Sequence, residues 1–150
     1  MNLDSYEINK DTCAILTVND EVTKIVENKQ EYLLPKPSFE VMEDSCAYYG
    51  SSFDGRLKGT KMMLGANYKL PIIIDESNNI IFFPTNGTSN TKCSWISLNQ
   101  IEKYEPKGGY TKVTFAGGKN LVLKMSYSSF EMQLLRATRL QNLLHKRIEN

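Results

Sequence analysis

Short runs of apolar residues broken by polar turns dominate the first third of the chain. Tyr6-Glu7-Ile8 and Ala14-Ile15-Leu16-Thr17-Val18, parted by the polar break Asn9-Lys10-Asp11, predict two strands. Thr23-Lys24-Ile25-Val26 and Glu31-Tyr32-Leu33-Leu34 predict two more, split by Glu27-Asn28-Lys29-Gln30. Pro35 and Pro37 close this meander, because proline cannot donate to a strand ladder. The period then changes. Ser38 offers an N-cap, and Phe39, Met42, Cys46 and Tyr49 recur every three or four residues, one face of a helix over about 39–49. Gly50 stands where such a helix would end.

The stretch Gly50-Ser51-Ser52-Phe53-Asp54-Gly55-Arg56-Leu57-Lys58-Gly59-Thr60-Lys61 holds three glycines, two serines and three basic groups, and reads as a polar connection. Ile72-Ile73-Ile74 and Ile80-Ile81-Phe82-Phe83 bracket Asp75-Glu76-Ser77-Asn78-Asn79, the pattern of a buried hairpin ended by Pro84. A polar loop is expected over 85–92. Ser94-Trp95-Ile96-Ser97-Leu98 and Gln100-Ile101-Glu102-Lys103-Tyr104 resume strand character. Lys112-Val113-Thr114-Phe115 alternates with the period of a half-buried strand and pairs through Gly117-Gly118 with Asn120-Leu121-Val122-Leu123-Lys124. Last, Ser128 and Glu131 suggest a capping box opening a helix over about 129–148. Phe130, Leu134, Ala137, Leu140, Leu144 and Ile148 form its apolar stripe, with Arg136, Arg139, Lys146 and Arg147 opposite. The fold class is α+β: antiparallel strands in both halves, an internal helix and a long C-terminal helix.

At 150 residues the chain suits one domain, 1–150. No run approaches a membrane span, and Met1–Glu7 lacks the basic and apolar stretches of a signal peptide, so a cytoplasmic protein is expected. The net charge of +1 hides an asymmetry. Residues 1–45 carry four Lys against ten Asp and Glu, a balance of −6, whereas residues 91–150 carry ten Lys and Arg against four Glu, +6. An anionic partner for the C-terminal part follows as an expectation.

Catalytic chemistry finds little support. Cys13, Cys46 and Cys93 lie 33 and 47 residues apart, and their odd number suits buried thiols in a reducing compartment. The single His145 sits on a basic helix, so neither a Cys–His pair nor a zinc set is marked, and no metal or cofactor is expected. Gly50–Leu57 narrowly misses a phosphate-binding loop: Arg56 stands where the motif needs Lys, and Leu57 where it needs a hydroxyl. The chain is therefore expected not to be an enzyme.

The Gly/Ser-rich basic segment and the basic helix remain. Glycines let a backbone approach phosphates, and small hydroxyls with Arg and Lys contact them. The run Ser45-Cys46-Ala47-Tyr48-Tyr49-Gly50-Ser51-Ser52-Phe53-Asp54-Gly55-Arg56, with Gly59-Thr60, resembles the central signature of ComK proteins. Pro71-Ile72, Phe82-Phe83-Pro84-Thr85, Trp95-Ile96-Ser97, Val113-Thr114-Phe115, Gly118-Lys119 and Ser126–Glu131 resemble the same family in the same order.

That resemblance implies a transcriptional regulator of genetic competence, binding A/T-rich double-stranded DNA largely through the minor groove as a homo-oligomer. Narrow A-tract grooves concentrate negative potential that Arg and Lys read. Arg56, Lys58 and Lys61 are the first candidates for groove or phosphate contact, flanked by Ser51 and Ser52. Arg136, Arg139 and Lys119 come second, and Leu135 and Leu143 are candidates for self-association. ComK proteins carry a further tail, linked to the MecA–ClpCP adaptor-directed protease and to part of their activating capacity. The chain ends at Asn150, so the expectation is a short form that keeps DNA binding. The alternative is an interaction protein that modulates a full-length ComK.

Overall fold

The computed structural model describes residues 2–85 and 93–149. In chain order the elements are β1 (Thr12–Thr17), β2 (Thr23–Glu27), β3 (Glu31–Leu34), α1 (Ser38–Tyr48) and α2 (Phe53–Leu64). Then follow β4 (Ile72–Asp75), β5 (Ile80–Pro84), β6 (Trp95–Ser97), β7 (Ile101–Lys107), β8 (Tyr110–Phe115), β9 (Asn120–Leu123) and α3 (Tyr127–Glu149). Two antiparallel sheets result, one of six strands in the order β3-β2-β1-β6-β5-β4 and one of three, β7-β8-β9. The α+β class, the antiparallel strands in both halves and the long C-terminal helix are as the sequence predicts.

Strands β4, β5 and β6 of the large sheet are buried on both faces, which explains why the β4 and β5 segments read as continuous apolar runs. Ile15, Ile25, Ile72, Ile74, Phe82 and Trp95 pack toward Val41, Met42 and Cys46 of α1 and Phe53 of α2. Their neighbours Ala14, Val26, Ile73, Ile81, Phe83 and Ile96 point the other way, into a second core with Val113, Phe115, Leu123 and α3. The small sheet and α3 thus cover one face of the six-stranded sheet, α1 and Phe53 of α2 cover the other, and the far end of α2 reaches the α3 side at Leu64. Phe130, Ala137 and Leu140 are fully buried from α3, so its apolar stripe is as read, apart from Ile148, whose side chain lies outside the described residues. The loop expected over 85–92 also lies outside them, save Thr85.

Five local expectations are corrected. Tyr6 and Ile8 are buried, but the segment forms no strand: Ile8 donates its N–H to Ser45 Oγ at 3.0 Å, and Tyr49 OH donates to Ile8 O at 2.8 Å. Pro37, not Ser38, is the N-cap of α1, and the buried Ser38 hydroxyl instead meets Thr17 and Thr23 at 2.6 and 3.1 Å. The buried face of α1 is centred on Val41, Met42, Ser45 and Cys46, leaving Phe39 47% exposed with its ring edge-on to Phe53. From Phe53 onward the glycine- and serine-rich stretch is helical, as part of α2. Finally, α3 starts one residue before Ser128; Ser126 Oγ accepts from Ser129 N, and Glu131 accepts from Tyr104 OH at 2.9 Å instead of closing a capping box.

Candidate nucleic-acid interface

Three local features make α2 a helix despite its composition. Ser52 Oγ accepts from Gly55 N at 3.0 Å, capping the first turn. Phe53, Leu57, Thr60 and Leu64 recur at helical spacing and turn inward, where Phe53 meets Trp95 edge-on. Gly65 ends the helix at φ 65°, a left-handed position, and donates to Lys61 O. Asp54 in the first turn and Lys61 in the last both suit the helix dipole.

The outward face of α2 carries Asp54, Gly55, Lys58, Gly59, Lys61 and Met62, all exposed. Gly55 has a local reason, since a Cβ there would lie 3.0 Å from the capping Ser52 hydroxyl. Gly59 has none: a Cβ there would meet nothing within 4 Å. Among residues 53–70 Asp54 is the one carboxylate, against Arg56, Lys58, Lys61 and Lys69.

The next loop joins this face to α3. Arg136 Nη1 donates to Tyr68 O at 2.5 Å and Lys69 O at 3.3 Å, and Gln133 Nε2 donates to Lys69 O at 3.1 Å and Pro84 O at 2.9 Å. These bonds hold Lys69 at φ 52°, a backbone region that side-chain-bearing residues rarely enter. Leu64, Gly65, Ala66, Leu135, Arg136 and Arg139 enclose a shallow hollow of about 410 Å³ between the two helices. The exposed Lys58, Lys61 and Arg139, with half-buried Lys69, therefore share one surface with the exposed apolar groups Met62, Tyr68 and Leu135. Lys69, Met62 and Tyr68 were not singled out from sequence, because they fall outside both basic segments and only the fold brings them in.

The remaining candidates lie elsewhere or are already engaged. Arg56 turns inward, its side chain 16% exposed and its Nη1 2.6 Å from Glu76 Oε1, so it fastens α2 to the β4–β5 turn. Ser52 caps the helix, and the half-buried Ser51 donates its N–H to Cys46 O. Arg136 is half-buried and spends its guanidinium on backbone carbonyls. Lys119 stands 3.7 Å from Glu31 beside the β2–β3 edge, whereas α2 packs on β4 at the other edge, five strand spacings or roughly 24 Å away. Its neighbour Lys24, hydrogen-bonding Glu31, holds that carboxyl below its ordinary value. Leu135 is 62% exposed, while Leu143 packs partly against the core.

All three cysteines are buried thiols, and burial pushes Cys13 and Cys46 up to about 11, the opposite of an activated nucleophile. Among the described residues no cluster of His, Cys, Asp and Glu could hold a metal ion, and no helix is long and apolar enough to cross a membrane.

Two antiparallel sheets, an apolar core on each face of the larger one and cations gathered where two helices meet define a small α+β protein with a cationic helical face. The chain belongs to the ComK family: the model described as ComK protein matches residues 3–149. It is 34% identical over 152 residues to the Competence transcription factor of Bacillus subtilis (strain 168), the match covering 99% of this chain and 79% of that relative. No solved structure gives a significant match.

Proposed function

We propose that this chain is a competence transcription regulator that binds A/T-rich double-stranded DNA largely through the minor groove, residues 1–150 acting as one DNA-binding domain in the cytoplasm. The name of its relative and its family support the regulatory role. The observation that carries the binding surface is the joined α2–α3 face, where Lys58, Lys61 and Arg139 are exposed and enter no ion pair among the described residues. In this reading those three, with Lys69, meet the phosphates and the groove. Arg56, Ser52 and Arg136 position them by fixing α2 and the loop after it, and Lys119 lies off the footprint. Gly59 lets the DNA backbone close on the helix without a side chain between them. Leu135, with Met132 exposed beside it on α3, supplies the self-association contact of a homo-oligomer or of a pairing with a longer ComK protein.

Replacing A·T by inosine·C pairs in a target duplex tests the groove. This swap keeps the A·T pattern of acceptors in the minor groove and alters the major groove. The minor-groove reading expects affinity within about threefold of the A·T duplex, since one lost base contact of the major-groove kind costs ~1–3 kcal/mol. A drop to the level of a G·C duplex would refute it.

A further inference from the structure

Sheet edges carry unpaired backbone groups that other chains can use, and proteins blunt them with charge, proline or cover. The structure has four such edges, and three are blunted. β3 is crossed by the N-terminal segment, where Leu3 donates to Leu33 O at 3.0 Å. β4 is wholly buried and packs on α2. β7 carries Glu102, Lys103, Glu105 and Lys107 together with Pro106. β9, Asn120-Leu121-Val122-Leu123, has neither proline nor charge, and among the described residues no strand lies on its outer side.

Its geometry presents a usable ladder. Phe115 N donates to Lys119 O at 2.8 Å, so the hydrogen-bonded pairs of the β8–β9 hairpin continue at Val113–Leu121 and Thr111–Leu123. The N–H and C=O of Val122 therefore point away from β8. Beside this edge runs a groove of about 700 Å³, walled on one side by β9 and on the other by Leu16, Thr17 and Val18. Val18 and Val122 are 55% and 44% exposed at its margins. Three lysines surround it: Lys112, in register with Val122 on one side and Glu105 on the other, Lys119, 3.7 Å from Glu31, and the exposed Lys124, with Asp20 on the opposite wall.

We propose that the outer edge of β9 is a docking site for an extended peptide of a protein partner, apolar at alternate positions and acidic at its flanks. The strand adds to the small sheet through Val122, its apolar side chains enter the groove, and its carboxylates meet the exposed Lys124 and compete with Glu31 for Lys119. A second copy fits this edge poorly, because antiparallel β9–β9 pairing would bring Lys119 of one copy toward Lys124 of the other.

The test is an amide-resolved NMR titration of the whole chain with the synthetic peptide Glu-Val-Thr-Val-Thr-Val-Thr-Glu, and with a control bearing proline at alternate positions. Shifts confined to residues 16–18 and 120–124, at a Kd of about 0.1–1 mM and absent with the control, are expected. Val122→Pro removes the outward donor and spares the β8 ladder, and should weaken binding at least about tenfold. Lys124→Glu, which touches no ladder bond, should weaken it about threefold and serves if the proline variant loses its fold. No shifts up to about 1 mM, shifts elsewhere, or indifference to Lys124→Glu would overturn the proposal. Concentration-dependent β9 shifts without peptide would also overturn it, in favour of a second copy.

Discussion

Replacing Lys58, Lys61 and Arg139 by glutamine, singly and together, probes the proposed DNA-binding face by charge alone. All three are exposed and engage no ion pair among the described residues, so each change should alter stability by no more than about 0.5 kcal/mol. Each cation that meets a phosphate contributes about 0.9 to the slope of log affinity against log salt. Removing one should reduce the slope by that amount, and removing all three by about 2.7. Over a fourfold rise in salt, one contact corresponds to about 3.5-fold in affinity and three to about 40-fold. Fluorescence anisotropy with an A/T duplex from about 50 to 200 mM salt measures this directly. Lys119→Gln, at the other edge of the sheet, is the control and should leave the slope unchanged. A triple variant that keeps the parent slope, or a Lys119 variant that loses as much as Lys61→Gln, would refute the placement of the surface.

Arg56→Met keeps the buried stem but breaks the pair with Glu76, which is half exposed and stays solvated, so the cost should be about 1 kcal/mol with the salt slope unchanged. A full slope unit lost would show that Arg56 leaves Glu76 to meet DNA. Gly59→Ala should stabilise the fold by about 0.5–1 kcal/mol in urea, since nothing occupies the space of the added methyl, yet weaken DNA binding; a destabilised variant would contradict the open helix face. Phe130→Ala should cost about 3–5 kcal/mol, because its buried ring packs on Phe83 and Tyr104; under 1 kcal/mol would deny that core. The Cys13 and Cys46 thiols, raised by burial from 9.0 to about 11, keep their protons in the folded chain while the unfolded chain releases them. Stability is therefore full below pH 9 and falls as pH rises toward 11, and Cys46→Ala should make that decline shallower in a denaturation series.

Strands and the C-terminal helix were legible because their signals are local. Ile72–Ile74 and Ile80–Phe83 are apolar at every position, and that run fits only strands covered on both faces. The stripe of α3 is long enough to show its period. Helix α2 was missed because Gly55, Gly59, Ser51 and Ser52 carry the composition of a loop. Its signal was nevertheless present, in Phe53, Leu57, Thr60 and Leu64 at helical spacing with a serine cap before and Gly65 after. Tyr6 and Ile8 looked like strand residues because they are buried, but their partners are Ser45 and Tyr49, which no short-range pattern announces. The proposed site was half legible. Basic residues of the two segments could be named, yet exposure decides which are available, and that depends on Glu76 facing Arg56 and on the Tyr68–Lys69 carbonyls facing Arg136. Strand order, a long-range property, is what sets Lys119 apart from the proposed face.

The central claim, that this chain reads A/T-rich DNA, is tested most directly by binding to an A/T-tract duplex and a G/C-rich control of equal length across one salt series. Phosphate contacts alone treat the two duplexes alike and fade together as salt rises. Groove reading adds a preference that salt does not remove. The account predicts that affinity for both falls with salt while the A/T preference persists. Equal affinities that vanish together, or no binding to either duplex, would contradict it.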